Sequence, residues 1–319
     1  MDDVPVNYRA IQSNAPMLNL RRLPQLSYQA RLRLLLLPYA VGIVVLVVIP
    51  ALISFGLAFF HYDGLSAPRW AGNLNFILAY TDELFNLSVQ NSLALIILPV
   101  PMRVFGAFLV AYLMQRGGRF VNWFRATVYL PSVIPSAAYA LAWLWIFNPL
   151  YGPMNLLLGS LGVVPPNWLV DPAWAKPALI IMSLWQIGEG FLVSFAALQD
   201  LPPELHDEAR IDGAGTLGLV RYIALPLIAP ILLLLIFRDV ILTFQESFTA
   251  ILLMTDGGPY YATYTLPMFV YEQGFDLFSF GVASAALWVM YLLTGLIVIL
   301  LYIIARQWDI GTTDETFVL

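Results

Sequence analysis

The chain has 319 residues, of which 60% are hydrophobic and 11% charged, with a formal net charge of -5. Globular chains carry about 25% charged residues, so this one has too few to cover a soluble surface, and its long apolar runs mark an integral membrane protein. It contains no cysteine and two histidines, His61 and His206. A disulfide framework, a thiolate metal site and a cysteine nucleophile are therefore excluded, and the histidines fit no metal-binding spacing.

Six apolar stretches are each long enough to cross a hydrocarbon core of about 30 Å. They are Leu32–Phe60, Ser88–Met114, Trp123–Phe147, Ala175–Leu198, Leu227–Met254 and Gly281–Ala305. The expected organisation is an all-α polytopic membrane protein with a tail at 1–28, a membrane domain at 29–306 and a second tail at 307–319. Arg9, Arg21, Arg22, Arg31 and Arg33 precede the first stretch. That stretch is too long for a signal-peptide core, and "FFHYDG" offers no small-residue cleavage site, so it reads as an anchor.

The basic residues sort by side. Arg116, Arg119 and Arg125 fall in the second connection, Arg210 and Arg221 in the fourth, and Arg306 after the last stretch, whereas the opposite side has Arg69 and Lys176. The positive-inside rule then places both termini in the cytoplasm of a cell whose cytoplasmic membrane holds the chain. Lys176, the single lysine, precedes Pro177, so no phosphate-binding loop is present. If ATP drives this protein, another chain binds it. The two long connections on the opposite side, rich in Gly, Pro, Asn and aromatics, are expected to form short interfacial helices and turns.

Between the fourth and fifth stretches lies "LPPELHDEARIDGAGTLGLVRYIALP". Asp200 is expected to cap a helix whose first turn takes Pro202 and Pro203. Leu205 and Ala209 share one face of it, Asp207 and Arg210 form an i,i+3 pair, and Gly213 suits the left-handed position that ends it. Thr216 is expected to cap a second helix with Leu217, Val220 and Ala224 on one face, and Pro226 to open the next span. The whole is a helix–turn–helix, 200–225, at the membrane surface.

Ionisable and amide groups inside the spans are costly and so are candidates for function. Trp185, Gln186 and Glu189 lie in the fourth span, Gln245 and Glu246 in the fifth and Trp288 in the sixth. Together they offer donors, acceptors and aromatic faces to a polar solute, with Glu189 and Glu246 the leading pair. Arg103, Arg238 and Asp239 are the other buried charges; internal ion pairs, Asp239 or Glu246 with Arg103 and Arg238 with Asp239, are the competing expectation. Gly257, Gly258 and Pro259 are expected to make a non-helical turn at the outer end of the pathway.

Two motifs resemble those of the membrane permeases of bacterial ATP-binding-cassette importers. Asp207, Glu208, Ala209, Gly213, Ile223, Leu225 and Pro226 follow the spacing E-A-A-x(3)-G-x(9)-I-x-L-P, with Asp207 in place of the glutamate and Glu208 in place of the first alanine. Phe248, Thr255, Gly257, Gly258 and Pro259 follow F-x(6)-T-x-G-G-P, as in carbohydrate permeases of the maltose, trehalose and glycerol-phosphate type. The resemblance covers about 30–306. It implies a type I importer transmembrane domain whose helix–turn–helix couples to separate ATPase subunits, those subunits carrying ATP and magnesium while this chain holds no cofactor. It also implies a heterodimer with a related second permease, an extracytoplasmic binding protein, a sugar-like substrate, lipid around the spans and no nucleic acid. The rival is a self-contained secondary transporter or channel that uses Glu189, Glu246 and Asp239 as an ion relay. Many such folds carry inverted repeats, and none is evident here. No nucleophile–base or metal constellation points to an enzyme.

Overall fold

The computed structural model describes residues 27–115 and 121–307, without the side chains of Arg31, Asn122, His206, Glu246 and Gln307. The expected tails lie outside these residues apart from Ser27, Tyr28 and Gln307, as do Arg116 and Arg119. The chain divides into two units, 1–53 and 54–319.

In the first unit, α1 (Tyr28–Ile43) starts where the Ser27 hydroxyl accepts a hydrogen bond from the Ala30 N–H. A π-helical stretch, Val44–Val48, follows and leads into α2 (Ile49–Leu57). The proline ring at Pro50 collides with the carbonyl four residues back in a regular helix, and the wider π turn around Leu46 makes room for it. Among the described residues, Tyr28–Leu57 is one of four helices long and apolar enough to cross a membrane.

The second unit opens with β1 (Phe60–His61), which pairs antiparallel with β2 (Arg69–Trp70), Phe60 opposite Trp70. This hairpin stands in a connection where the sequence predicts short interfacial helices and turns and no strand. Next come α3 (Leu74–Thr81), α4 (Glu83–Ile97) and α5 (Pro99–Met114). Asp82 caps α4 through the N–H groups of Leu84 and Phe85. Glu83–Met114 counts as one span, because Pro99 sits in the first turn of α5, where its missing N–H costs nothing.

The third and fourth spans are not straight. α6 (Val121–Val133) and α7 (Ser136–Ile146) meet at 103° across Ile134 and Pro135. Pro135 pushes the residue before it out of the helical region, a break that the continuous stretch Trp123–Phe147 does not predict. After α8 (Pro153–Ser160), α9 (Pro172–Leu184) and α10 (Gly188–Gln199) bend by 43° around Trp185–Ile187. Counting each bent pair as one span gives the expected six.

The fifth span differs most from expectation. α11 (Pro203–Ile211) is followed by α12 (Thr216–Leu219), a π turn at Val220–Ala224 and α13 (Leu225–Met254), and Thr216–Gln245 runs as one span. Pro226 therefore lies within a helix and opens nothing. The π turn that contains Tyr222 relieves its ring, as at Pro50. The cap is Gly215, Thr216 being the first helical residue. The π turn also shifts the phase of the apolar face: Leu219 and Ala224 are buried whereas Leu217 is exposed. α14 (Leu266–Tyr271) and α15 (Phe280–Gln307) complete the chain.

Two apolar clusters hold the second unit together. One joins α5, α10 and α13 through Phe108, Phe191, Phe195, Leu198 and Ile228. The other, toward α14, contains Phe147, Trp168, Ile251, Leu266 and Phe269. Polar clasps close both ends. Gln115 Nε2 donates to the Leu198 carbonyl at 3.0 Å, while Asn91 Nδ2 donates to the carbonyls of Tyr261 and Tyr264 at 2.9 and 2.7 Å.

Candidate functional site

α11 is tied tightly to the spans on either side. Only Asp200, Leu201 and Pro202 separate it from α10, and only Asp212 to Gly215 separate it from α12. Asp200 is the residue that closes α10, so it does not cap α11; Pro202 holds that position, with Pro203 in the first turn. The exit is a Schellman turn. Gly213 has φ +85°, its N–H donates to the Arg210 carbonyl, and the Ala214 N–H donates to the Ala209 carbonyl at 2.8 Å. Leu205 and Ala209 are half-buried on the inner face as expected, whereas Asp207 and Glu208 point to solvent.

Asp207 lies 3.8 Å from Arg210, with both side chains well exposed. Ile211 at the end of α11, Leu217 in α12 and Tyr222 in the π turn are 85%, 79% and 74% exposed. Exposed apolar groups on the same segment as exposed carboxylates suit a protein partner. Of the other motif residues, Ile223 and Leu225 are half-buried and Pro226 is exposed.

A cavity of about 70 Å³ lies between α5, α7, α9 and α13. Its polar lining includes Arg103, Ser136, Tyr139, Ser183, Gln186 and Thr243, with Ser247 one turn beyond Thr243. Arg103 Nη2 lies 3.2 Å from Asp239 and donates to Thr243 Oγ1 at 2.8 Å. Asp239 also lies 3.4 Å from Arg238, which pairs in turn with Glu189 of α10. Two acids and two bases thus form one neutral cluster joining α5, α10 and α13.

Among the described side chains, Gln186 is the one expected pathway residue that lines this cavity. Glu189 is turned to Arg238. Trp185 is 59% exposed and borders other clefts. Gln245 is exposed, and the side chain of Glu246, and with it the expected Glu189–Glu246 pair, lies outside the described residues. Trp288 packs edge-on against Phe55, with ring centroids 4.9 Å apart, and against Tyr291. The ion pairs expected as the competing arrangement are present for Arg103 with Asp239 and for Arg238 with Asp239.

The sequence reading missed Ser136, Tyr139, Ser183, Thr243 and Ser247. Two spacings carried a signal: Thr243–Ser247 at i,i+4 and Ser183–Gln186 at i,i+3 place polar groups on one face of apolar helices.

The turn after α13 is built as its glycines require. Gly257 has φ +78°, and a Cβ there would stand 2.8 Å from the Tyr264 ring. Thr263 Oγ1 lies 2.7 Å from Thr255 Oγ1 and donates to the Gly258 carbonyl. Ser92 Oγ accepts from the Leu266 N–H, which pins the turn to α4. Gly258 and Pro259 border an open cleft of about 520 Å³ with Phe147 and Asn148.

The family described as "binding-protein-dependent transport system inner membrane component" matches residues 103–309. A probable ABC transporter permease protein, YesP of Bacillus subtilis, is 31% identical over 275 residues, covering 85% of this chain and 89% of that protein. The sn-glycerol-3-phosphate transport system permease protein UgpA of Yersinia enterocolitica is 34% identical, covering 76% and 83%. Among solved structures, a chain of a bacterial ABC transporter that imports the acidic polysaccharide alginate superposes with a TM-score of 0.75 at 22% identity, over 88% of this chain and 96% of that one.

Proposed function

The chain belongs to the family of binding-protein-dependent transport system inner membrane components, and from that premise we propose that it is one permease of an ATP-driven importer for a sugar, oligosaccharide or related polyol. It works in a heterodimer with a related permease, with two ATPase subunits that bind ATP and magnesium, and with an extracytoplasmic binding protein. It carries no cofactor and performs no covalent chemistry. The chain lies in the cytoplasmic membrane with both termini and α11 on the cytoplasmic side, as the arginine distribution requires. A self-contained transporter is not favoured, since the family works with binding proteins.

The observation that carries this reading is the short, rigid attachment of α11. A helix ended by a Schellman turn, and joined through three residues to one span and four to the next, has little slack. A push on its exposed face therefore moves α10 and the α12–α13 helix instead of bending a loop. Asp207 and Glu208 offer carboxylates to basic groups of an ATPase subunit. The likeness to UgpA, a permease named for a phosphorylated polyol, supports the substrate class.

Gly213→Pro removes the positive φ and the N–H that closes the Schellman turn, and Asp207→Arg reverses the charge offered to the partner. Both variants are expected to insert and assemble yet lose substrate-stimulated ATP hydrolysis and uptake in proteoliposomes. Normal uptake by both rejects the coupling role of α11.

A further inference from the structure

The charge arrangement around the cavity bears on which substrates it passes. Arg103 is the one charged residue among those described that line it. It is 9% exposed, and its charge already faces Asp239, which is 15% exposed at the side chain. Arg238, the next cation, is matched by Glu189 and by Asp239. Among the described residues of this cluster no positive charge is left over.

The free hydrogen-bonding capacity is of another kind. The hydroxyl protons of Tyr139, Ser183 and Thr243 go to the backbone carbonyls of Met182, Ile180 and Asp239. The oxygens of Tyr139 and Ser183 remain as acceptors, whereas that of Thr243 already accepts from Arg103. The side chains of Gln186, Ser136 and Ser247 make no hydrogen bond to other described residues. Neutral donors and acceptors are what a polyhydroxylated solute satisfies.

A carboxylate or phosphate entering this space has two options. It leaves Arg103 with Asp239 and sits beside a buried negative charge, or it takes Arg103 and strands Asp239 inside the membrane. Either outcome buries an unpaired charge, and such groups are expensive.

We propose that the Arg103–Asp239 pair sets the charge class of the substrate, so that this permease passes uncharged polyhydroxylated solutes and rejects their carboxylated or phosphorylated counterparts. This rests on the importer reading above and narrows it, in contrast with the charged solutes named for the glycerol-phosphate and alginate systems. Asp239 acts as a specificity-determining residue by holding the charge of Arg103, without contact to the solute.

The test uses the whole transporter, with its partner permease, ATPase subunits and binding protein, in proteoliposomes. Matched probes are lactose with lactobionate, galactose with galacturonate, and glycerol with glycerol 3-phosphate. Wild-type transporter is expected to take up the neutral member of at least one pair, with its anionic counterpart tenfold or more slower (a ratio of about ten is 1.4 kcal/mol). Asp239→Asn leaves the Arg103 charge unmatched, and it is expected to shrink that ratio at least threefold with the same binding protein present. Uptake of the anionic member at an equal or higher rate by wild type overturns the proposal, as does an unchanged ratio in an assembled Asp239→Asn transporter. The wild-type comparison needs no variant, so it decides even where Asp239→Asn does not assemble. If no probe of either charge is taken up or stimulates ATP hydrolysis, the polyol and sugar reading itself falls, which is a distinct result.

Discussion

Asp207–Arg210 and Arg103–Asp239 are both acid–base pairs, in opposite surroundings. The first, on α11, spans 3.8 Å with its side chains 73% and 60% exposed; the second spans 3.2 Å with side chains 10% and 15% exposed. Water and salt screen the first pair, so it adds little to the fold and its carboxylate can exchange partners. Low dielectric holds the second pair in place, and removing either member leaves a charge with no solvent to absorb it. One site is open for docking and the other is closed to rearrangement. Geometry around each agrees: backbone hydrogen bonds and a positive φ fix α11, whereas contacts from α5 and α13 fix the cluster.

The largest effect that separates the two is expected from Asp239→Ala. It should cost about 3–5 kcal/mol, read as a large fall in the thermal unfolding midpoint of the purified transporter. Replacing both Arg103 and Asp239 by leucine should recover most of that loss, since an apolar pair strands no charge. A drop in the double variant as large as in the single one indicates that packing, not charge, is at stake.

At α11 the backbone should outweigh the charge. Gly213→Ala meets no atom within 4 Å, so its cost comes from φ alone and is expected at about 1–2 kcal/mol of local stability, visible as faster amide exchange across Pro203–Ile211. Arg210→Ala should change the same exchange by only about 0.2–0.5 kcal/mol; an effect as large as that of Gly213→Ala would show that the ion pair organises the element.

The smallest effect concerns a third carboxylate, Asp63 in the hairpin turn. Hydrogen bonds from the Ser66 N–H, the Leu65 N–H and the Ser66 hydroxyl pull its pKa down to about 2. Because the folded value lies below the unfolded one, the carboxylate stabilises the turn above the ordinary aspartate range, near pH 4. That contribution is lost as pH falls toward 2. The protection factors of the Leu65 and Ser66 amides, taken against the intrinsic exchange rate at each pH, should therefore hold at pH 5 and fall on acidification, while Asp63→Asn should show no such pH step.

The same contrast explains what could be read from the sequence. α11 was legible because its determinants are local: prolines at its start, Gly213 at its end, an i,i+3 pair and a fixed spacing. The spans were legible from apolar length, and the outer turn from Gly257–Gly258. The continuation of α12 into α13 was not, because Pro226 reads as a break unless the π turn ahead of it is known. Nor was the cavity, since Tyr139, Ser183 and Thr243 are far apart in sequence and meet only through packing. Glu189 illustrates the limit: an intramembrane carboxylate was correctly marked as unusual, but its partner Arg238 lies on another helix, 49 positions along the chain.

The central claim is that α11 is the seat of a cytoplasmic ATPase subunit. The chain lacks cysteine, so a single cysteine introduced at Ile211 reports on one place. In cells carrying the whole transporter, that thiol is expected to cross-link to the ATPase subunit and to resist a membrane-impermeant thiol reagent applied from outside. Labelling from outside, with no cross-link to the ATPase, would contradict the account.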